Sequence, residues 1–284
     1  MIRRASRHLV LFLAASLVSC SLERQATPRL DSGHLTGALP TLGHRIRIAS
    51  WNVHKRNDSV FLADLHRLLD TTQADIFLMQ ECAVPSEPEH FQEALGNRFW
   101  TISVNLTRSS PPEKIGVVTA MRARPQTQKA LLSQATEPVI GTAKASLVGT
   151  YPMEDGLLTV VNIHALNFSP DLDGFRAQIS AITKVLEASP GPAIVGGDFN
   201  TWTRRKSALL DSLLAARGLV PVDFGDQTSL LKSVFGNPLD RIYYTREFLA
   251  LDSMSPKVHG SLKSSDHAPL SVEFILKART VSPP

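Results

Sequence analysis

The feature that most restricts this chain is a series of short, apolar, β-branched runs, several of which stop on an acid, an amide or an imidazole. Ile46–Ser50, Ile76–Met79, Ile102–Val104, Ile115–Ala120 and Ala143–Thr150 have the length and composition of strands, as do Leu157–Ile163, Ala193–Val195, Ile242–Thr245 and Leu270–Leu276. Between some of them the apolar period changes. Phe61, Leu65, Leu68 and Leu69 share one helical face after Asp58, and Phe175, Ile179, Ile182 and Leu186 share another. Leu209, Leu210, Leu213 and Leu214 run up to Gly218, a helix stop. Other strands follow one another directly, as hairpins do. The mixture predicts an α/β fold in which sheets pack on each other and helices lie outside.

The polar ends of these runs are the second constraint. "RIRIASWNVHK" delivers Asn52, "ADIFLMQE" delivers Glu81, and "LLTVVNIHALN" delivers His164 and Asn167. "AIVGGDFN" delivers Asp198 and Asn200, "LDRIYY" begins on Asp240, and "SSDHAPLSVEF" places Asp266 and His267 before the last strand. Any one of these reads as a turn, since Asp and Asn favour strand ends. Six in one chain point to a shared site. Its chemistry would be that of hard oxygen ligands: Glu81, Asp198 and Asp266 suit Mg²⁺ better than zinc. Asn52 and Asn200 add neutral oxygens and amide donors, and the two histidines can donate to a charged transition state. No nucleophilic Ser or Cys motif is evident, which favours direct attack by water. Cys82 would alternate to the opposite strand face from Glu81. No P-loop or dinucleotide fingerprint occurs.

Within "IVGGDFNTW", Asp198 and Asn200 are expected to leave the strand end on one side. The paired glycines Gly196 and Gly197 would let backbone and phosphate approach closely. Arg204, Arg205 and Lys206 would open a helix whose first amides and basic side chains bind flanking phosphates.

"SWNVHK", "LMQE", "NIHALN", "GGDFNTW", "PLDRIYY" and "SSDHAPL" together resemble the ordered motifs of the endonuclease/exonuclease/phosphatase, or deoxyribonuclease-I-like, superfamily from about Arg45 to Leu276. "VVNIHALNFS", "GDFNTWTRR" and "FGNPLDRIYY" resemble its YafD-like bacterial branch. The resemblance implies a four-layer α/β sandwich, two mixed β-sheets face to face with helices outside, and a divalent metal at one edge. The metal would be Mg²⁺, with Mn²⁺ or Ca²⁺ as alternatives. By motif position, Asn52 and Glu81 would hold it, with Asp266 nearby. Asp198 would orient or deprotonate the attacking water, helped by Asn200. His267, held by Asp240, would contact the scissile phosphate, and His164 would be a second donor and general acid. Asn167 would line the pocket. Abasic-site endonucleases carry Tyr where this chain has His164, which argues against that activity. The acid that supports this His in deoxyribonuclease-like members has no secure match here, Glu113 being the candidate.

The first residues form a separate unit. Arg3, Arg4 and Arg7, the apolar stretch Leu9 to Val18 and "LVSC" describe a secretory signal peptide over 1–20, ending in a bacterial lipobox with Cys20 as the acylated residue. Two acyl chains would anchor the protein stably in a membrane of the cell envelope, facing the periplasm or exterior. Residues 21–44, rich in Pro and Gly without periodicity, read as a flexible tether reaching about 25–30 Å. The catalytic domain would then span 45–278, followed by a disordered tail, 279–284. Only Cys20 and Cys82 occur, so acylation of Cys20 leaves no internal disulfide. The formal charge of +4 includes the three leader arginines and nearly vanishes without them. Global charge therefore gives no footprint for nucleic acid.

The expected function is a metal-dependent phosphodiesterase acting on nucleic acid, a monomeric envelope nuclease. One alternative is a phospholipid or phosphoinositide phosphodiesterase or phosphatase, which would need an exposed apolar segment for the membrane. Aromatics are 6% of the chain and no such cluster flanks the motifs. Another is an inactive binding lipoprotein, against which the intact acids and histidines argue.

Overall fold

The parallel strand pairs decide where this molecule can do chemistry, because parallel neighbours need a crossover and leave their carboxyl ends together. A computed structural model describes residues 22–33, 39–96, 98–138, 141–167 and 172–277. The strands are β1 (Leu22–Gly33), β2 (Arg45–Asn52), β3 (Ile76–Pro85), β4 (Phe99–Ser109), β5 (Pro112–Met121), β6 (Thr127–Thr136), β7 (Ala143–Met153) and β8 (Gly156–His164). They continue as β9 (Ala193–Asp198), β10 (Leu219–Pro221), β11 (Ser233–Val234), β12 (Asn237–Pro238), β13 (Asp240–Thr245), β14 (Leu249–Leu251), β15 (Lys257–Val258) and β16 (Leu270–Leu276). The helices are α1 (Ser59–Thr72), α2 (Glu89–Ala94), α3 (Asp173–Ala188) and α4 (Arg204–Ala215).

One sheet runs β1-β4-β5-β3-β2-β16-β14, with β15 also on β16, and the other runs β10-β13-β9-β8-β7-β6. All pairs are antiparallel except β2–β3 and β8–β9. Helix α1 crosses over between the first parallel pair and α3 between the second.

Side-chain alternation builds the layers. Ile46 and Ile48 of β2 face the other sheet and meet Leu158, Val160, Ile194 and Ile242 in one buried cluster. Ala49 and Trp51, on the opposite face, pack with Phe61, Leu65 and Leu68 of α1. Val161, Ile163 and Val195 pack in the same way against Phe175, Ile179 and Ile182 of α3 and Leu210 and Leu214 of α4. The result is helix, sheet, sheet, helix, as expected. Each such side chain contributes roughly 1.5–3 kcal/mol on burial. Asp58 caps α1, its Oδ1 accepting from the backbone N–H groups of Val60 and Phe61.

The tether expected over 21–44 is corrected at Leu22–Gly33. These residues form β1, paired along β4 from Leu22 opposite Arg108 to Gly33 opposite Trp100. The strand is mostly exposed. It is held by the backbone ladder, by Leu22 against Ala83, Leu106 and Ile115, and by an Asp31–Lys114 ion pair. Gly33 lies on the Trp100 indole, where a Cβ would come within 2.4 Å of Cζ2. A ladder of this kind needs no apolar alternation, so the composition of the segment concealed it. The fold thus includes residues before 45. The signal segment with Cys20, and the tail 279–284, lie outside the described residues.

Candidate active site

The carboxyl ends of β2, β3, β8 and β9 converge. In the second sheet the register sets His164 beside Asp198 and Asp198 beside Asp240, three adjacent strand ends in one row. In the first sheet Asn52 lies beside Gln80. Glu81 follows at a bulge between Met79 and Cys82, with a left-handed φ of 49°. Bulges re-aim side chains, and this one sends Glu81 into the site while Cys82 joins the core.

The two sheets are joined through the site. Asn52 Nδ2 donates to Asp198 Oδ2 at 2.8 Å. His164 Nε2 stands 3.5 Å from Glu81 Oε1 and 3.8 Å from Asp198 Oδ2. The other Asp198 oxygen accepts from the Asn200 backbone N–H at 2.9 Å, while Asn200 Nδ2 donates to Ala165 O. Across the row, His267 Nδ1 and Asp240 Oδ2 are 2.7 Å apart. The loop that carries His267 is tied down twice: Trp51 Nε1 donates to His267 O, and Ser265 Oγ donates to Asn52 O. Beneath the site, Gln80 Nε2 donates to Asn162 Oδ1, a buried polar link between the sheets.

Burial gives these groups unusual titration. Burial and the Asp240 charge push Asp198 up to about 6. Burial pulls His267 down, but the charge and hydrogen bond of Asp240 prevail and raise it to about 9. Glu81, although burial opposes its charge, is held below the ordinary carboxylate range by the neighbouring Lys55 and Lys144 ammonium groups. Burial and Lys144 hold His164 well below the ordinary imidazole range, so it is neutral. One protonated and one neutral imidazole therefore flank a carboxylate that titrates near neutrality, an arrangement suited to acid–base work on a phosphoester.

The donor set also fits a hard divalent cation. Ligand atoms of Asp198, Asp240 and His267 lie within 4.8 Å of one another. Asp240 Oδ1 is buried and accepts no hydrogen bond among the described residues. Glu81 adds a carboxylate nearby, its Oε1 3.5 Å from His164 Nε2, while Asn52 Oδ1 accepts from the His54 backbone N–H at 3.0 Å.

The Endonuclease/Exonuclease/phosphatase family matches residues 49–267. The chain belongs to that family. Members of its superfamily hydrolyse phosphodiester bonds. A UPF0294 protein of Yersinia pseudotuberculosis is 34% identical over 251 residues, covering 88% of this chain and 91% of that protein. A UPF0294 protein of Yersinia enterocolitica is 32% identical over 248 residues, or 87% and 90%. Among solved structures, an endonuclease/exonuclease/phosphatase from Beutenbergia cavernae superposes with a TM-score of 0.64 at 15% identity over 84% of this chain and 73% of that one. The human Nocturnin catalytic domain gives 0.56 at 18% identity, over 88% and 98%. The endonuclease domain of the retrotransposon TRAS1 gives 0.54 at 17%, over 82% and 99%. These structures share the fold.

Within this family member, Asn52, Glu81, His164, Asp198, Asn200, Asp240 and His267 are brought together in one group. Asp266 does not join it. Its side chain is half exposed, paired with Lys232, and no closer than 4.0 Å to His267 Nε2. Asn167 is beside the group through its backbone, donating from N to Glu137 Oε1. Arg204 and Arg205 are exposed at the start of α4, whereas Lys206 turns inward, donating to Leu166 O and Asn167 O and lying 4.5 Å from the Phe175 ring centroid. The basic triplet is therefore split between surface and interior.

Two local readings are corrected. The paired glycines serve packing: a Cβ on Gly197, at φ 142°, would stand 2.0 Å from Ile163 O, and one on Gly196 would stand 2.8 Å from Leu78 Cδ1. Asn200 lies beyond the strand in a left-handed turn with φ 50°, so its link to Asp198 is the turn hydrogen bond, not strand alternation. Glu113 is also excluded as the support of His164, being bound to Asn57 and Arg108. The site cations Lys55 and Lys144, and Glu137, were missed. Lys144 leaves one signal, a lone cation in the apolar run "TAKASLVG".

Proposed function

We propose that this protein is a divalent-metal-dependent phosphodiester hydrolase that uses activated water on nucleic acid in the cell envelope. The observation that carries the reading is the row His164–Asp198–Asp240 across adjacent strand ends, closed from the other sheet by Asn52 and Glu81. Asp198, held by Asn52 and Asn200, orients the water and takes its proton, a role matched to a carboxylate raised to about 6. His267, kept protonated by Asp240, donates to a phosphate oxygen as charge builds there. His164 faces the departing oxygen. Glu81 and Asn52 would hold the cation, with Asp266 at the rim, and Mg²⁺ bound there would neutralise phosphate charge.

Nucleic acid is favoured by the exposed Arg204 and Arg205 at the start of α4. The TRAS1 domain of the same fold is an endonuclease by its description. The UPF0294 relatives are consistent with the YafD-like branch. One observation favours the phospholipid reading: Phe235, at the tip of the β11–β12 hairpin, is 86% exposed. Among the described residues it is the single exposed aromatic, where membrane insertion calls for a patch. The test is hydrolysis of plasmid DNA, RNA, sphingomyelin and phosphoinositides by the chain from Ser21 onward, with Mg²⁺ and with EDTA. Starting at Ser21 preserves β1. Cleavage of DNA or RNA that EDTA abolishes supports the reading; turnover of lipid alone replaces the substrate, and no turnover of any of the four refutes the hydrolase.

A further inference from the structure

The mechanism above leaves unexplained what fixes His164. Family resemblance called for an acid, and Glu113 is committed elsewhere. The structure puts a cation there instead. Lys144 Nζ lies 3.1 Å from His164 Nε2. An ammonium has three protons to donate and no lone pair, so the imidazole nitrogen in that contact must be the acceptor. Resting on the proposed role of His164, we propose that Lys144 is a positioning residue. It locks His164 as the Nδ1–H tautomer, with Nε2 turned to the gap between Glu81 and Asp198.

Several contacts show that Lys144 is placed rather than incidental. Its side chain is mostly covered, with Nζ 3.9 Å from Glu137 Oε1. That same oxygen accepts from the Asn167 backbone N–H at 2.6 Å. Glu137 thus holds both Lys144 and the chain just beyond His164. The Lys144 backbone is fixed too, its N–H donating to Ser133 Oγ at 2.9 Å. Ser146, two residues on, pairs with Ile163, so the β7–β8 register brings Lys144 alongside the end of β8. Nε2, the nitrogen that Lys144 touches, is also the one facing Glu81 Oε1 and Asp198 Oδ2. Orientation of the ring and choice of tautomer are therefore set by one contact; Nε2, left without a proton, gives none to a departing oxygen, and the fixed Lys144 charge beside it is what would stabilise that oxygen.

The tautomer is read directly from long-range ¹H–¹⁵N correlation spectra of the full chain in EDTA, with His164 identified by the signals lost in His164→Gln. Wild type and Lys144→Gln, which keeps a donor, are expected to show Nδ1–H. Lys144→Met, of similar length without a donor, is expected to shift to Nε2–H, the form free imidazole prefers. The same tautomer in wild type and Lys144→Met would overturn the proposal. If Lys144→Met does not fold, Glu137→Gln replaces it and should give a mixture of tautomers; an unchanged spectrum then overturns the proposal. With Mg²⁺, Lys144→Met should lose at least about tenfold more kcat on a phosphodiester with an alkoxide leaving group than on one with nitrophenolate, with KM little changed. Equal losses also overturn it. If wild type hydrolyses neither diester, the proposed function fails while the spectra still decide the role of Lys144.

Discussion

Asp198→Asn separates the chemistry of the site from its stability. The wild-type carboxyl is buried and raised from 3.8 to about 6. The folded state therefore binds this proton more tightly than the unfolded state, and stability falls as pH rises between about 4 and 6. Above that window the difference amounts to roughly 3 kcal/mol. The amide removes the penalty. It keeps the bond from the Asn200 N–H but presents a donor to Asn52 Nδ2, losing about 1 kcal/mol. Lost attraction to His267 offsets a little more. The net expectation is a metal-free variant about 1–2 kcal/mol more stable than wild type at pH 7.5, a rise in Tm of about 2–8 °C, with the advantage gone near pH 4. Turnover should fall by about 10²–10⁴-fold, because the group that accepts the water proton is gone. The assay is scanning calorimetry in EDTA at both pH values, with kcat on the substrate that the screen identifies. A Tm advantage that does not depend on pH, or turnover above about a tenth of wild type, would refute the reasoning.

Asp240→Asn should lower His267 from about 9 towards 6.5, so the alkaline limb of the pH–rate profile moves to lower pH. The stability that His267 gives the wild type is full below about 6.5 and lost as pH rises through about 9, which melting curves against pH will show. Glu81→Ala should abolish activity and also the rise in Tm that millimolar Mg²⁺ gives the wild type; a retained Mg²⁺ shift would move the metal away from Glu81. Gly197→Ala forces a Cβ to 2.0 Å from Ile163 O and should cost more than about 4 kcal/mol in chemical denaturation. Cys20→Ala should release the protein from the membrane fraction, and mass spectrometry of the wild-type N-terminus should show the lipid.

The sandwich was legible because its central strands are buried on both faces and so read as dense apolar runs, while strand-end residues stand out against them. That is why Asn52, Glu81, His164, Asp198, Asp240 and His267 could be read together. Strand β1 was not legible, since an exposed edge strand is held by backbone hydrogen bonds that no side chain announces. Lys144 and Glu137 were hidden for another reason. They come from β7 and the turn before it, and only the β7–β8 register makes them neighbours of His164. Asp266, placed near the metal by its motif, stands at the rim: its carboxylate pairs with Lys232 and lies 4.0 Å from His267 Nε2.

Strand β1 also alters how an acylated form would search for substrate. A 24-residue coil would let the domain tumble in a hemisphere above the bilayer. Here a single residue, Ser21, separates Cys20 from the start of the sheet. Four strand spacings of about 4.8 Å, from β1 across β4, β5 and β3 to β2, put Asn52 about 20 Å from β1, so an acylated form would carry its site on a stiff arm. Diffusion would become two-dimensional, and the enzyme would meet only what lies within one domain's width of the membrane. Strands of nucleic acid threading past that surface would be within its range, and those free in the bulk would not.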